Sequence, residues 1–348
     1  MAGTHRANVT MQDVARRAGV SSQTVSNVVN GRSARVSEDT RLRVIDAIAA
    51  LGYRVNQAAR SLRRGRTGTV GLGIPTLDSE YYGALAEALS VRFLDRGLRL
   101  VVETTGGAVG AEMQSLASSR LDSYDGFVLA LAAGDTDHLV QIDTDTPVVL
   151  LGERALTSQF DHVVMDNIGG GRQATEFLLR RGARAVVALG GVESAEESMP
   201  ALRTRGYLDA HLHLGIRVDP GLIVASSFTL DGGYEGIRRL LELGHSFDAV
   251  FAMTDASALG AIRALADAEI RVPEDVQVIG FDNSTAGRFS VPRLSTIEPG
   301  NEARADAIVE LLMSRMEHPQ RDLERRVVVH PAALVERDST SSSPSVPE

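Results

Sequence analysis

Between residues 10 and 52 the apolar positions recur at helical spacing in three short runs separated by turn residues. Thr10 with Asp13 three residues on is a capping-box pattern, which predicts a helix over MQDVARRA that stops at Gly19. Ser21 is a good N-cap for SQTVSNVV, which ends at Asn30-Gly31, and Ser37 for EDTRLRVIDAIAAL, which ends at Gly52. Val14, Ala18, Val20, Val25, Val28, Val29, Val44, Ile45, Ile48 and Leu51 then have the spacing of a small shared core. A core drawn from about 45 residues is marginal, so this unit is expected to lean on a partner.

The next segment, NQAARSLRRGRTG from Asn56, is Arg-rich, carries one large apolar residue (Leu62) and ends in glycine. It reads as a linker that becomes helical when something stabilises it. From Thr69 the period changes. TVGLGIP, RLVVETT, GFVLAL, PVVLLGE, HVVMD, AVVALGG, AVFAM and VQVIGFD are short runs rich in Val, Ile and Leu. Helical patterns such as YYGALAEALSVRFLDRG, GGRQATEFLLRRG, LRTRGYLDAHLHLG, GGYEGIRRLLELG and ASALGAIRALADAE lie between them. Such alternation predicts parallel sheets covered on both faces, and roughly 270 residues favour two of them. The final DSTSSSPSVPE is low-complexity and polar, and is expected to be disordered.

Composition narrows the function classes. The 348 residues are 43% hydrophobic and 23% charged, which excludes a largely disordered or collagen-like chain. No apolar run reaches the roughly 20 residues that span a bilayer, and MAGTHRANVTMQD lacks the apolar core of an export signal. The expectation is a cytoplasmic, nucleoid-associated protein with no membrane partner. Cysteine is absent, which removes disulfides, thiolate metal sites and cysteine nucleophiles. The net charge of -9 hides an asymmetry: residues 1–66 hold twelve Arg against four acids, so the remainder is strongly acidic. A basic arm on an acidic body fits a polyanionic partner for the arm, although a solvated basic face would give the same count.

The first two predicted helices, joined through Ala18-Gly19-Val20, form a helix-turn-helix pattern. Ala15, Ala18 and Gly19 allow a close crossing, while Ser22, Gln23, Ser26 and Asn27 offer hydrogen bonds to a major groove. Gln and Asn match adenine bidentately; Ser is less selective. Alone, the pattern also fits any short helical hairpin. Taken with DVA (13–15), AGVS (18–21) and TVS (24–26), however, the N-terminus closely resembles that of LacI/GalR-family transcription regulators. DGFVL (125–129), VVMDNIGGG (163–171), DVQVIGFDN (275–283), LSTIEP (294–299) and VERDST (335–340) extend the resemblance along nearly the whole chain.

The resemblance implies an all-α helix-turn-helix DNA-binding domain (8–55) and a hinge helix or linker (56–67). An α/β two-lobed, periplasmic-binding-protein-like effector and dimerisation domain (68–338) would follow, with a tail at 339–348. Lobe 1 would comprise about 68–165 and 295–322, and lobe 2 about 166–294 and 323–338. By the same resemblance Ser22, Gln23 and Asn27 read bases, with Ser26 beside them, while Thr10, Ser21, Thr24 and Asn30 hold phosphates, which position without specifying. Asn56, Ala59 and Leu62 fall on the hinge helix, with Leu62 where the family inserts an apolar wedge into the minor groove. Read alone, Leu62 fits an ordinary core contact.

For the body, the resemblance marks Arg203 in LRTRGY and Asp282 in GFDN as effector-binding groups, and Tyr81 and Tyr82 as rings that pack on a sugar face. Arg154, Thr254, Asp255 and Glu298, with Glu153 and Asp166, stand at other strand ends that supply pocket residues. A helix cap, a turn carboxylate or an ion pair between lobes explains each of these six equally well. Thr254 and Glu298 also depart from the family's usual Asn and Gln.

The expected partners are a double-stranded palindromic operator, a sugar-like small-molecule effector and a second copy in a homodimer, with no cofactor or metal. Enzyme readings find little. Gly169-Gly170-Gly171 could cradle phosphate, but without any Lys there is no P-loop, and a turn fits better. His211 and His213, two apart, do not make a helical metal pair.

Overall fold

The computed structural model describes residues 9–29, 36–53, 66–154, 156, 159–318 and 324–340. Asn30, Asn56, Ala59 and Leu62 lie outside the described residues, as do positions 341–348. The chain divides into two units at Thr67 and Gly68.

The first unit consists of α1 (Met11–Ala18), α2 (Ser22–Val29) and α3 (Glu38–Leu51). The capping box forms: Thr10 Oγ1 accepts the Asp13 N–H, and the Asp13 carboxylate accepts the Thr10 N–H at 3.0 Å. Gly19 takes a left-handed conformation (φ 67°) that turns the chain into α2, where Ser21 Oγ accepts the Thr24 N–H at 3.1 Å. Val14, Ala15, Ala18, Val25, Val44 and Ala47 form the buried centre. Ile45, expected there, is 41% exposed. The inward stripe of α3 runs through 44, 47, 48 and 51, and Ile45 sits about 100° away from Val44.

In the second unit two parallel sheets account for the alternating pattern. Strands β1 (Thr69–Ile74), β2 (Arg99–Thr104), β3 (Gly126–Ala130), β4 (Val148–Leu151) and β5 (Asp161–Met165) enter one sheet. Its order is completed by β11 (Val327–His330): β11-β5-β4-β3-β1-β2. The second sheet, β7-β6-β8-β9, contains β6 (Val186–Leu189), β7 (Ile223–Val224), β8 (Ala249–Ala252) and β9 (Gln277–Ile279). A separate antiparallel pair joins β10 (Thr296–Glu298) to β12 (Ala333–Val335).

Helices cover both faces of each sheet. On the first sheet α4 (Glu80–Leu94) packs Leu85, Leu89 and Phe93 against β1 on one face, with Leu116, Leu121 and Phe160 on the other; α5 (Val109–Ser115) follows β2. In the second lobe α6 (Asn167–Arg180) and α7 (Met199–Leu214) cover Val186 and Ala188. Helices α8 (Leu230–Glu242) and α9 (Asp255–Asp267) cover Val187 and Leu189. Successive residues of one strand thus enter opposite cores, which is why the strands read as unbroken apolar runs. A short α10 (Thr285–Phe289) and the long α11 (Asn301–Glu317) complete the unit, the latter returning to the first lobe through Ala305, Ile308, Val309 and Leu312.

Three particulars differ from the expectation. Val327–His330, assigned to lobe 2, pairs with β5 in the first sheet, whereas Thr296–Glu298, assigned to lobe 1, pairs with β12, and Ile297 joins the second lobe's core. The chain therefore passes between lobes at 165–166, 298–301 and 330–333. Ser339 and Thr340, expected in the disordered tail, are buried: Ser339 Oγ accepts the Ser295 N–H at 2.8 Å, and its N–H donates to Arg293 O. Gly169-Gly170-Gly171 is helix rather than turn; a Cβ on Gly171 would lie 2.5 Å from Arg203 O, and one on Gly206 2.2 Å from Ile168 O. The two glycines let α6 and α7 touch backbone to backbone, which holds Arg203 in place.

Candidate functional site

The first candidate surface is α2. Val25 is buried, and Ser22 and Gln23 are exposed on the first turn. Gln23 Nε2 donates to Asn27 Oδ1 at 3.3 Å, which places the two amides on one face a single turn apart. Ser21 Oγ lies 2.9 Å from Thr24 Oγ1 at the helix start, and Thr10 is exposed at the start of α1. Arg16 and Arg17 are also exposed on α1. The unit thus presents amide and hydroxyl groups along one short helix, with cations on its neighbour.

The second candidate site lies where the lobes face each other, beside the three crossing segments. Arg203 on α7 is 1% exposed. Its Nε donates to Asn167 Oδ1 at 2.7 Å, an Nη donates to Met253 O, and the guanidinium stacks 3.4 Å from the Phe281 ring centroid. The remaining Nη is 3.9 Å from Asp282 Oδ1. Asp282 follows β9 with φ 119°, a left-handed value that L side chains rarely adopt. Burial pushes that carboxyl up to about 8 against the opposing pull of Arg203.

From the first lobe come Tyr81 and Tyr82, stacked edge to face at 4.9 Å on the first turn of α4. Burial raises both phenols, and Asp282 and Glu153 raise them further, so these groups share one electrostatic environment. Arg304, on the first turn of α11 and 2% exposed, donates to Tyr81 Oη at 3.0 Å.

The residues for which caps and turn contacts were an equal expectation do make such contacts. Thr254 Oγ1 accepts the Ser257 N–H as the N-cap of α9, and Asp166 caps α6 through the Gly169 N–H at 2.8 Å. Asp255 is buried; its oxygens accept Thr296 Oγ1 and the Ser284 N–H, both at 2.6 Å, and burial raises it to about 6. Glu298 accepts Asn283 Nδ2 at 2.8 Å and the Asn301 N–H at 2.9 Å. Asp255 and Glu298 thus brace the turn that carries Asp282. Glu153 accepts the Met165 N–H at 3.2 Å. Arg154 pairs with Glu196 at 3.3 Å, a bridge from one lobe to the other. His211 Nδ1 contacts Tyr207 O, and His213 pairs with Glu176.

Sequence reasoning missed Arg304, Asn167, Phe281 and Glu80, whose carboxylate accepts the N–H groups of Thr285 and Ala286 across the lobes. A signal existed for Arg304. It precedes Ile308, Leu311 and Leu312 by four, seven and eight residues, which puts it on the buried stripe of α11. Among the described residues no group of acidic side chains and histidines is arranged to hold a metal ion, and no helix is long and apolar enough to cross a membrane.

Comparison with known proteins adds independent findings. Residues 10–56 match the family model for bacterial regulatory proteins of the lacI family, and residues 175–340 match a periplasmic binding protein-like domain. The HTH-type transcriptional regulator CelR of Thermobifida fusca is 35% identical over 320 residues, covering 89% of this chain and 93% of that protein. The regulator RegA of Clostridium saccharobutylicum is 31% identical over 334 residues, covering 95% and 98%. Among solved structures, a CelR–cellobiose complex superposes with a TM-score of 0.69 at 32% identity, covering 95% of this chain and 99% of that one.

Proposed function

The chain belongs to the lacI family of bacterial regulatory proteins, and on that premise we propose that it is an operator-binding repressor released by a small polar effector. It is a DNA-binding transcriptional regulator, as its relatives are, and not an enzyme. The observation that carries the reading is the pairing, in one chain, of a capped helix-turn-helix bearing an exposed Gln23 and a half-buried Asn27 on one face with an interlobe cleft built on Arg203 and Asp282.

On the DNA side Ser22, Gln23 and Asn27 read base edges, with Ser26 beside them, and Thr10, Ser21, Thr24 and Asn30 hold phosphates. Asn56, Ala59 and Leu62 act in the hinge. On the effector side Arg203 and Asp282 touch the ligand and offer parallel hydrogen bonds to hydroxyl pairs. Tyr81 and Tyr82 pack on it, Asp255 and Glu298 position Asp282 through the turn they brace, and Thr254 and Arg154 line the cleft from the start of α9 and from the bridge to Glu196. A carbohydrate is the favoured ligand class, supported by this donor and acceptor set and by the cellobiose complex of CelR. The protein works as a homodimer in the cytoplasm on a palindromic site. Because the effector favours a lobe arrangement that the DNA-bound dimer disfavours, it lowers operator affinity by the factor by which DNA lowers its own.

The test is fluorescence anisotropy of the full chain on DNA from the gene's upstream region, titrated with salt and with a panel of sugars. Binding that weakens steeply with salt and is abolished by one sugar is the expected result. Absence of specific binding even on DNA selected from the whole genome would overturn the regulator reading.

A further inference from the structure

Two arginines lie on the inner face of α11, eleven residues or about three turns apart. Both are buried, yet their surroundings differ. Arg315 grips Asp161 with two 2.8 Å bonds. Arg304 is 2% exposed and donates from one Nη to the neutral Tyr81 hydroxyl; its Nε has no partner. Among the described residues no carboxylate oxygen comes within 4.0 Å of its guanidinium. The nearby Asp282 is engaged by Arg203, and Glu153 accepts a backbone N–H.

A buried guanidinium without a counter-ion is costly, because the attraction that would offset its lost hydration is missing. Further unmatched atoms lie in the same neighbourhood. Asn167 spends its Oδ1 on Arg203 and leaves a buried Nδ2 without a partner, and His330 Nε2 is buried and unpartnered at the end of β11. The Arg304 and Asn167 atoms are donors, and the His330 nitrogen donates in one of its two tautomers. These donors lack an acceptor and Arg304 also lacks a counter-charge; an anionic acceptor supplies both, whereas a neutral polyol supplies lone pairs without the charge.

We propose that the effector is an anion: a small hydroxylated compound whose carboxylate or phosphate group docks on Arg304, while its hydroxyls meet Arg203 and Asp282. This rests on the effector cleft proposed above and adds the charge of the ligand to it. It assigns Arg304 as a binding residue and gives a reason for a buried cation that the fold alone does not need.

The experiment follows thermal unfolding of the full chain at constant ionic strength. Chloride is exchanged for acetate or for inorganic phosphate, with glucose and cellobiose as neutral probes, in the wild type and in Arg304→Met. The expected result is a saturable rise in melting temperature with at least one of the two anions, lost in Arg304→Met. A response to acetate alone assigns a carboxylate; one to phosphate alone assigns a phosphoryl group. Arg304→Met without ligand should melt no lower than the wild type, since it removes an uncompensated buried charge. The proposal is overturned if the variant melts several degrees lower and neither anion raises the wild type. If a neutral sugar stabilises both proteins while the anions stabilise neither, the anion is refuted and the effector cleft stands. If no probe of either kind acts on the wild type and operator binding is also insensitive to a broad metabolite panel, the cleft reading itself fails.

Discussion

Arg315 and Asp161 form a bidentate pair, 2.8 Å on each oxygen, beneath the first sheet, and the same carboxylate accepts the Arg326 N–H at 2.9 Å. The pair ties α11 to the start of β5 and to the segment leading into β11. Burial alone would raise the Asp161 carboxyl; the Arg315 and Arg326 hydrogen bonds outweigh it and hold the carboxyl below its ordinary value. The stability it contributes is therefore present above the unfolded-state value near 3.9 and is lost as pH falls through the lower folded value. Asp161→Asn leaves Arg315 buried and uncompensated, at an expected cost of about 3–5 kcal/mol. Chemical denaturation near neutral pH measures that cost, and a wild-type-like midpoint would reject the role.

Asp282 should give the opposite slope in a higher pH window. Its carboxyl, pushed up to about 8, binds a proton in the folded state that the unfolded chain releases near 3.9. Between those values the folded state holds more protons, so stability falls as pH rises from about 4 towards about 8. Calorimetric melting across that range should show the decline, and Asp282→Asn should remove its part above about 6, leaving below it the part that the raised Asp255 carboxyl contributes.

Arg203→Ala is expected to retain operator affinity and lose the response to effector, since Arg203 lies in the cleft within the second unit. Anisotropy with and without ligand reads both quantities. Collapse of DNA binding in the variant would make Arg203 a structural residue only.

Gln23→Ala should weaken specific DNA binding by about 1–3 kcal/mol, the worth of one bidentate base contact, and leave binding to random DNA nearly unchanged. Competition between operator and nonspecific duplex at one salt concentration decides the matter; equal losses on both would place Gln23 on the phosphates.

Gly206→Ala tests the crossing beneath Arg203. The added methyl would lie 2.2 Å from Ile168 O and 2.7 Å from Arg172 N, so α6 and α7 must part. A loss of at least about 1–3 kcal/mol is expected, with a weakened effector response even in the folded fraction. Unchanged stability would mean that the helices separate freely.

Local signals carried far in this chain. Thr10, Ser21 and Ser37 stand at helix starts because a hydroxyl there takes up a free N–H, a relation that spans only three residues. The central strands were legible because both of their faces are buried. Strands β7 and β11 were not, being sheet edges buried on only part of their length, nor were β10 and β12, which pair only with each other outside the two sheets. The assignment of β10 and β11 to lobes was also illegible, since it depends on which distant strand each one pairs with.

The sequence by itself determined the three capped helices, the strand–helix alternation, the basic N-terminal arm and the positions of Arg203, Asp282, Gln23 and Asn27. Each follows from neighbours within a few turns or from a motif of consecutive residues. Only the tertiary structure decided which carboxylates are consumed internally, as in Asp255 and Glu298, and which arginine is paired. Arg315 and Arg304 are the same residue on the same helix face. One meets Asp161, 154 residues away in the chain, and the other, among the described residues, donates to a tyrosine hydroxyl 223 residues away and meets no carboxylate. Charge compensation in a buried site depends on distance in space, and no local pattern encodes that distance.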